Sequence, residues 1–110
     1  MTLDDLAAFG ANVDEGMARC MNNEDVYLSL VESMRNDQGF DALQDAIAAN
    51  DPDAAFEAAH ALKGVLGNLS ITPLYEPMCE LTELLRGRKE ADYATLLSEI
   101  AAKREEFMAL

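Results

Sequence analysis

The sequence contains a single histidine, His60, and the residues that follow it are suited to binding an anion. Lys63 comes one helical turn later, with Gly64 beside it and Gly67 one turn further along. A neutral imidazole is an effective nucleophile, and this form predominates for histidine near neutral pH. A lysine ammonium one turn away can neutralise a phosphoryl group carried by the ring. The spacing therefore favours nucleophilic chemistry with an anionic group, provided that the segment is helical.

The segment around His60 is predicted to be a helix that begins at Asp51-Pro52 and runs to about Leu69. Aspartate is a good N-cap, and proline suits the first helical turn because its missing N–H costs nothing there. Six apolar residues lie about 140° to 240° around the helix from His60 and are expected to face the core. They are Ala55, Ala58, Leu62, Val65, Leu66 and Leu69. The imidazole is therefore expected to point into solvent.

Phe56, Lys63, Gly64 and Gly67 are predicted to share the exposed face with His60, within about 60° of it. Each glycine costs about 1 kcal/mol relative to alanine in a helix interior, so stability alone does not favour them there. They either leave a bare surface for another molecule or make room for a neighbouring helix. Phe56 is either an exposed docking anchor or a residue packed beneath the N-terminal helices.

The N-terminal half is predicted to form two short helices and a longer helical region. Thr2 can cap a first helix that ends near Gly10, and a second fits residues 13–20. The longer region has Asn22 or Asn23 as its cap. Its apolar positions are Val26, Leu30 and Met34, with Tyr27 and Val31 beside them, and then Phe40, Leu43 and Ile47. Residues 36–39 interrupt this pattern, which indicates one kinked helix or two shorter ones.

The C-terminal part is predicted to form two more helices. The first starts at Thr72-Pro73 and ends at Gly87, and Pro77 is expected to make its start irregular. Its inner stripe is Leu74, Met78, Leu81 and Leu85, and the last helix carries Tyr93, Leu96, Leu97, Ile100 and Phe107 on one side. Together these patterns predict a single all-α domain over residues 1–110. The expected arrangement is an up-down-up-down four-helix bundle with the short N-terminal helices against one end.

Charge and cysteine content exclude several classes of function. The chain has 8 basic and 21 acidic residues, a net charge of −13, which opposes binding to nucleic acids and to anionic membranes. Cys20 and Cys79 are far apart, and one histidine cannot complete a Cys/His zinc set, so no metal site is expected and both thiols are expected in the core. With no signal peptide and no apolar run long enough to span a bilayer, we expect a cytoplasmic protein.

Residues 59–69, Ala-His-Ala-Leu-Lys-Gly-Val-Leu-Gly-Asn-Leu, resemble the signature of the histidine-containing phosphotransfer (HPt) domain family. The approach through residues 50–53 and the order of helices are also similar to that family. The resemblance implies that His60 carries the phosphoryl group and that Lys63 steadies it. It also implies that Gly64 opens space beside this group and that Gly67 matches a small position one turn further along, so both are assigned to phosphoryl stabilisation or access. Ser70 stands where the family often has glycine, which leaves the end of this helix uncertain.

The function that the resemblance implies is that of a phosphorelay intermediate, with reversible exchange between His60 and an aspartate of response-regulator receiver domains. Phe56, Glu57 and Asn68 are expected to contact the partner. Receivers, and a hybrid sensor kinase, are the expected partners, with any Mg²⁺ on the receiver and this chain a monomer without cofactor. The chain has no nucleotide-binding loop, so no kinase or hydrolase activity of its own is expected. The alternative is a non-catalytic helical adaptor that docks a signalling protein without being phosphorylated.

Overall fold

The computed structural model describes residues 1–87 and 93–110, and all regular structure in these ranges is helical. The predicted all-α class is therefore confirmed. The helices are α1 (Leu3–Phe9), α2 (Val13–Arg19), α3 (Glu24–Arg35), α4 (Gly39–Ala48), α5 (Pro52–Asn68), α6 (Thr72–Arg86) and α7 (Tyr93–Met108). None of the helices in these ranges is both long enough and apolar enough to cross a membrane.

Side-chain caps fix the starts of α1, α3 and α5 at the predicted positions. Thr2 and Asp5 form a reciprocal capping box at α1, and Asn23 caps α3 by accepting the backbone N–H of Val26. Asp51 accepts the N–H of Ala54 at the start of α5, with proline next to it in the first turn. These bonds satisfy backbone donors that have no partner within the helix. The predicted starts of α1, α3 and α5 are thereby confirmed.

The interruption at residues 36–39 divides the long helical region into α3 and α4. Asp37 accepts the N–H of Gly39 at 2.6 Å, and a Cβ on Gly39 would lie 3.0 Å from Leu62 of α5. Of the apolar positions that recur in α3, Val26 and Leu30 are 45% and 47% exposed. The buried residues are Tyr27, Val31 and Met34, which lie four and three residues apart and so form one face of a helix.

The α5 helix lies between α4 and α6, while α7 packs against α6 and also contacts α3. Phe56 near the start of α5 lies close to Arg86 at the end of α6, and Gly67 near the end of α5 lies against Tyr75 near the start of α6. The two helices therefore run antiparallel. Their facing stripes are buried, including the four α6 residues that periodicity predicted: Leu74, Met78, Leu81 and Leu85.

The short helices α1 and α2 pack against the end of the bundle where α5 finishes, as expected. Phe9 stacks on Phe107 with ring centroids 5.8 Å apart, and Gly10 lies against Pro73. The backbone N–H of Asn12 donates to Ser70 O at 2.9 Å. The left-handed φ of Gly10, +114°, ends α1 and turns the chain towards α2.

The helix α6 begins at Thr72 with a tight first turn, in which Leu74 N bonds Ile71 O, in keeping with the expected irregular start. It then runs unbroken through Pro77, whose ring is buried. The expectation that both thiols lie in the core was wrong. Cys20, which follows the last residue of α2, and Cys79 within α6 are free thiols and only half-buried.

Tyr27 joins α3 to the end of α5 through a buried hydrogen bond. Its hydroxyl donates to Leu69 O at 2.8 Å, and its ring lies so close to Gly16 that a Cβ there would be 2.5 Å from it. Burial, followed by the nearby Cys20, raises the pKa of the phenol, so the donating proton is retained throughout the physiological range.

We predict that Tyr27→Phe lowers the free energy of unfolding by about 1–2 kcal/mol, because it leaves the carbonyl of Leu69 without its donor in a buried site. Tyr75→Phe is the matched control, since its ring is only half-buried, and it should cost less than about 0.5 kcal/mol. Urea denaturation of both variants measures the difference. Equal losses would contradict the role given to the Tyr27 bond.

Candidate functional site

His60 lies on the exposed face of α5, as the sequence predicts. The buried face is turned slightly from the expected one. Its residues are Ala55, Ala59, Leu62, Leu66 and Leu69. Val65, expected in the core, is 43% exposed, and Ala58 is half-buried. The shift arises because α5 packs against both α4 and α6. The face of α5 that lies towards these two helices is the one that is buried, whichever apolar residues it carries.

Phe56 and His60 form a stacked pair of rings. Their centroids are 5.7 Å apart with an interplanar angle of 19°, and the guanidinium of Arg86 lies 5.2 Å from the centroid of the Phe56 ring. Phe56 is half-buried in this position and does not lie beneath the N-terminal helices. Stacking restricts the directions that the imidazole can take, and a cation over an aromatic face is favourable. The role of Arg86 could not be read from the sequence, because it depends on how α6 lies against α5.

Lys63 and Gly64 occupy the surface on the other side of His60. Lys63 is half-buried and forms no ion pair with any residue in the part of the chain that the structure describes. A Cβ placed on Gly64 would meet nothing within 4 Å, so this glycine opens onto unoccupied space. An uncommitted ammonium beside open space can neutralise an incoming anion.

Gly67 has the packing role that was one of the two sequence alternatives. A Cβ there would lie 2.8 Å from Cε1 of Tyr75, so the absence of a side chain allows α6 to approach. The two glycines therefore have different roles, one opening the surface and the other allowing a close helix contact.

A hydrogen bond to Cys79 raises the pKa of the Tyr75 phenol, and the negative charge on that thiol in its ionised form acts in the same direction.

The end of α5 is held by Arg19 of α2, a residue that the sequence interpretation did not identify. Its Nη1 donates to Gly67 O and to Ser70 Oγ, both at 2.7 Å, and Nη2 pairs with Glu15. Ser70 adopts a left-handed φ of +56°, and its N–H bonds Gly67 O while that of Ile71 bonds Leu66 O. This is a helix ending that usually takes glycine, and here the bond from Arg19 to Ser70 Oγ is one that a glycine could not make.

Two open grooves flank His60, and the expected docking residues are divided between them. The first, which we call the Phe56 groove, is lined by Pro52, Asp53, Phe56, Glu57, Leu85 and Arg86. The second, the α2–α5 groove, is lined by Glu15, Arg19, Lys63, Gly64, Gly67, Asn68, Ser70, Thr72, Tyr75 and Glu76. Glu57 therefore lies on the side of Phe56, and Asn68 lies on the side of Lys63.

No three His, Cys, Asp or Glu side chains within residues 1–87 and 93–110 lie close enough together to hold a metal ion. The chemistry available at this surface is that of a nucleophilic ring, a stacked aromatic and nearby cations. Such a group can receive and release an electrophile that another molecule brings.

A family model described as Hpt domain matches residues 25–108, which cover α3 to α7 and include every residue predicted for the site. Comparisons with curated proteins and with solved structures gave no match.

Because Gly64 and Gly67 have different surroundings, substitution by alanine is predicted to change the free energy of unfolding differently at the two positions. Gly64→Ala should raise the free energy of unfolding by up to about 1 kcal/mol, because it gains helix propensity without a clash. Gly67→Ala gains the same propensity but displaces Tyr75, so its stability should be clearly lower than that of Gly64→Ala. Urea denaturation decides the order, and a higher stability for Gly67→Ala would contradict the packing role.

Proposed function

The chain belongs to the Hpt domain family, and we propose that it is a phosphorelay intermediate that accepts and donates a phosphoryl group on His60. Domains of this family are phosphotransfer intermediates in two-component signalling, and they interact with response-regulator receiver domains. The proposal assigns that activity to particular atoms of this chain.

The observation that carries the proposal is the combination of an exposed imidazole and open space beside it. His60 projects from the face of α5 that α4 and α6 leave uncovered, and Gly64 presents no side chain to an approaching molecule. Phosphoryl transfer requires the nucleophile, the phosphorus and the leaving oxygen to lie roughly in line. A receiver that brings its phosphorylated aspartate to His60 can satisfy this requirement only where no neighbouring side chain blocks its approach.

The charges around His60 support the same assignment. The phosphorylated ring carries close to two negative charges on its phosphoryl oxygens, and the ammonium of Lys63 can offset them. The ring itself becomes more positive as its nitrogen bonds phosphorus. The face of Phe56 lies against it and stabilises positive charge through its quadrupole, as it does for the guanidinium of Arg86.

The transfer itself exchanges one bond for another. The phosphorus–oxygen bond to the receiver's aspartate breaks while a bond forms between phosphorus and an imidazole nitrogen, and the aspartate leaves as a carboxylate. The reverse reaction returns the group to a receiver. This chain supplies position and charge, and any Mg²⁺ needed is placed on the receiver. It is not assigned kinase or hydrolase activity of its own.

The remaining expectations belong to the same proposal. Residues 1–110 form one domain in which α3 with α4, then α5, α6 and α7, supply the four members of an up-down-up-down bundle. The partners are receiver domains and a hybrid sensor kinase, the protein acts in the cytoplasm as a monomer, and it binds neither nucleic acid nor membranes. Phe56, Glu57 and Asn68 contact the receiver from the two grooves beside His60.

We predict that the purified protein, mixed with a phosphorylated receiver domain from the same organism, acquires acid-labile phosphate and that His60→Gln abolishes this transfer. The variant loses its nucleophile but should keep its helicity and stability, because the side chain is exposed and away from the core. Phosphate detection and circular dichroism on the same samples measure both effects.

Two results would contradict the assignment. Transfer that persists in His60→Gln would place the phosphoryl group elsewhere, and phosphohistidine formed with ATP alone would show a kinase activity that the proposal denies. A folded protein that binds receivers but takes phosphate from none of them would indicate the adaptor alternative.

We further predict that Gly64→Gln lowers the rate of transfer from a receiver by at least about tenfold, because the added side chain fills the space beside His60. The fold should be retained, since glutamine is a better helix former than glycine. Ala102→Gln, at an exposed position of α7, is the matched control and should leave the rate unchanged. Equal rates for both variants would show that Gly64 does not provide access.

A further inference from the structure

Arg19 belongs to α2, which precedes the family-matched residues 25–108, yet it is bonded to the helix that carries His60. Besides the bonds to Gly67 O and Ser70 Oγ, its Nη1 lies 3.4 Å from Asn68 O. These oxygens lie at the C-terminal end of α5, where carbonyl groups lack helical partners and a positive charge is favoured. The segment outside the family match is thus attached directly to the functional helix.

This attachment makes α2 one wall of the α2–α5 groove, which has a volume of about 490 Å³. Glu15 and Arg19 supply that wall, while Lys63 and Gly64 form the part nearest to His60. Lys63 and Gly64 are also residues of the proposed phosphotransfer site. The groove is therefore continuous with that site.

A partner that docks over His60 with an interface of standard size also covers the α2–α5 groove. A standard interface covers about 800 Å² on each partner, which corresponds to a disc of about 16 Å radius. Gly67 is seven residues beyond His60, a rise of about 10 Å along α5. Because Arg19 is bonded to Gly67 O, the α2 wall lies within the same footprint.

We propose that Arg19 is a positioning residue for receiver docking, because it holds α2 in place as a wall of the groove into which a polar loop of the receiver docks. This inference rests on the proposed function and adds the element of this chain against which the partner docks. The groove presents both signs of charge, with Arg19 and Lys63 opposed by Glu15 and Glu76, and so suits a loop with charged or hydrogen-bonding side chains.

Arg19 is expected to affect receiver docking and not the reactivity of the His60 imidazole. Arg19 has no contact with His60 in the described structure, so its removal should loosen the α2 wall and weaken docking while the imidazole remains reactive. Phosphoramidate, a small phosphodonor, tests reactivity without a receiver. Its phosphorus–nitrogen bond breaks as the bond to the imidazole nitrogen forms, and ammonia leaves.

Arg35→Ala is the matched control for Arg19→Ala. Arg35 also pairs with a glutamate of its own helix, Glu32, and donates to a carbonyl near the end of another helix, that of Met108. It lines neither groove beside His60. A general loss of stability should therefore appear in both variants, whereas a docking defect should appear only in Arg19→Ala.

The experiment measures KM and kcat for transfer from a phosphorylated receiver, the rate of phosphorylation by phosphoramidate, and thermal unfolding for each protein. Arg19→Ala should raise KM about tenfold, with kcat and the phosphoramidate rate within about twofold of the wild type. Arg35→Ala should leave KM, kcat and the phosphoramidate rate each within about twofold of the wild type. If Arg19→Ala does not fold, Glu76→Arg, which reverses an exposed charge at the groove, should raise KM in the same way.

An unchanged KM in Arg19→Ala, or in Glu76→Arg where that variant replaces it, would overturn the inference. An equal fall in the phosphoramidate and receiver rates would also overturn it, because Arg19 would then act on His60 itself. A wild-type protein that accepts phosphate from neither donor would instead refute the proposed function, and the inference would fail with it.

Discussion

The close packing of α5 between α4 and α6 is the constraint on which the site depends. The covered face combines two alanines, Ala55 and Ala59, with the larger Leu62 and Leu66, all less than 4% exposed. The small residues allow the neighbouring helices to approach, and each buried leucine contributes about 1.5–3 kcal/mol. Because this face is held on two sides, the opposite face has a fixed direction, and His60 is displayed there, outside the buried core.

The exposed face is organised by what surrounds it, and not only by its own residues. Phe56 provides a ring against the imidazole, and Arg86, from the end of the antiparallel α6, lies over this same Phe56 ring. On the opposite side, Lys63 and Gly64 leave a charged but open surface. An imidazole with an aromatic support on one side and a lysine one helical turn away on the other is suited to a group that gains and loses negative charge in turn.

The end of α5 shows how a locally unfavourable conformation is maintained by tertiary contacts. Ser70 has the left-handed φ that glycine adopts without penalty and that costs other residues about 1–3 kcal/mol. It is nonetheless 6% exposed, and its side chain accepts from Arg19 while its carbonyl accepts from Asn12. A glycine would relieve the backbone but lose the side-chain bond to α2. The serine therefore links the end of the functional helix to the N-terminal segment.

The sequence by itself determined the elements and the direction of His60. Caps such as Asp51 and periodic stripes such as that of α6 are local properties, because a few neighbouring residues decide hydrogen bonding and amphipathicity. The exposed face of α5 followed from the same periodicity. Its core-facing assignments failed at the margins of the face, at Ala58, Ala59 and Val65, where a small rotation moves a residue from one environment to the other.

Only the tertiary structure decided which residues from different helices meet. The two glycines of α5 are equivalent by spacing, but Tyr75 lies against Gly67 and nothing lies against Gly64. The contacts of Arg86 with Phe56 and of Arg19 with the end of α5 join residues about 30 and 48 positions apart, respectively. Periodicity describes one helix at a time, whereas these contacts depend on the relative position of packed helices, which no single helix encodes.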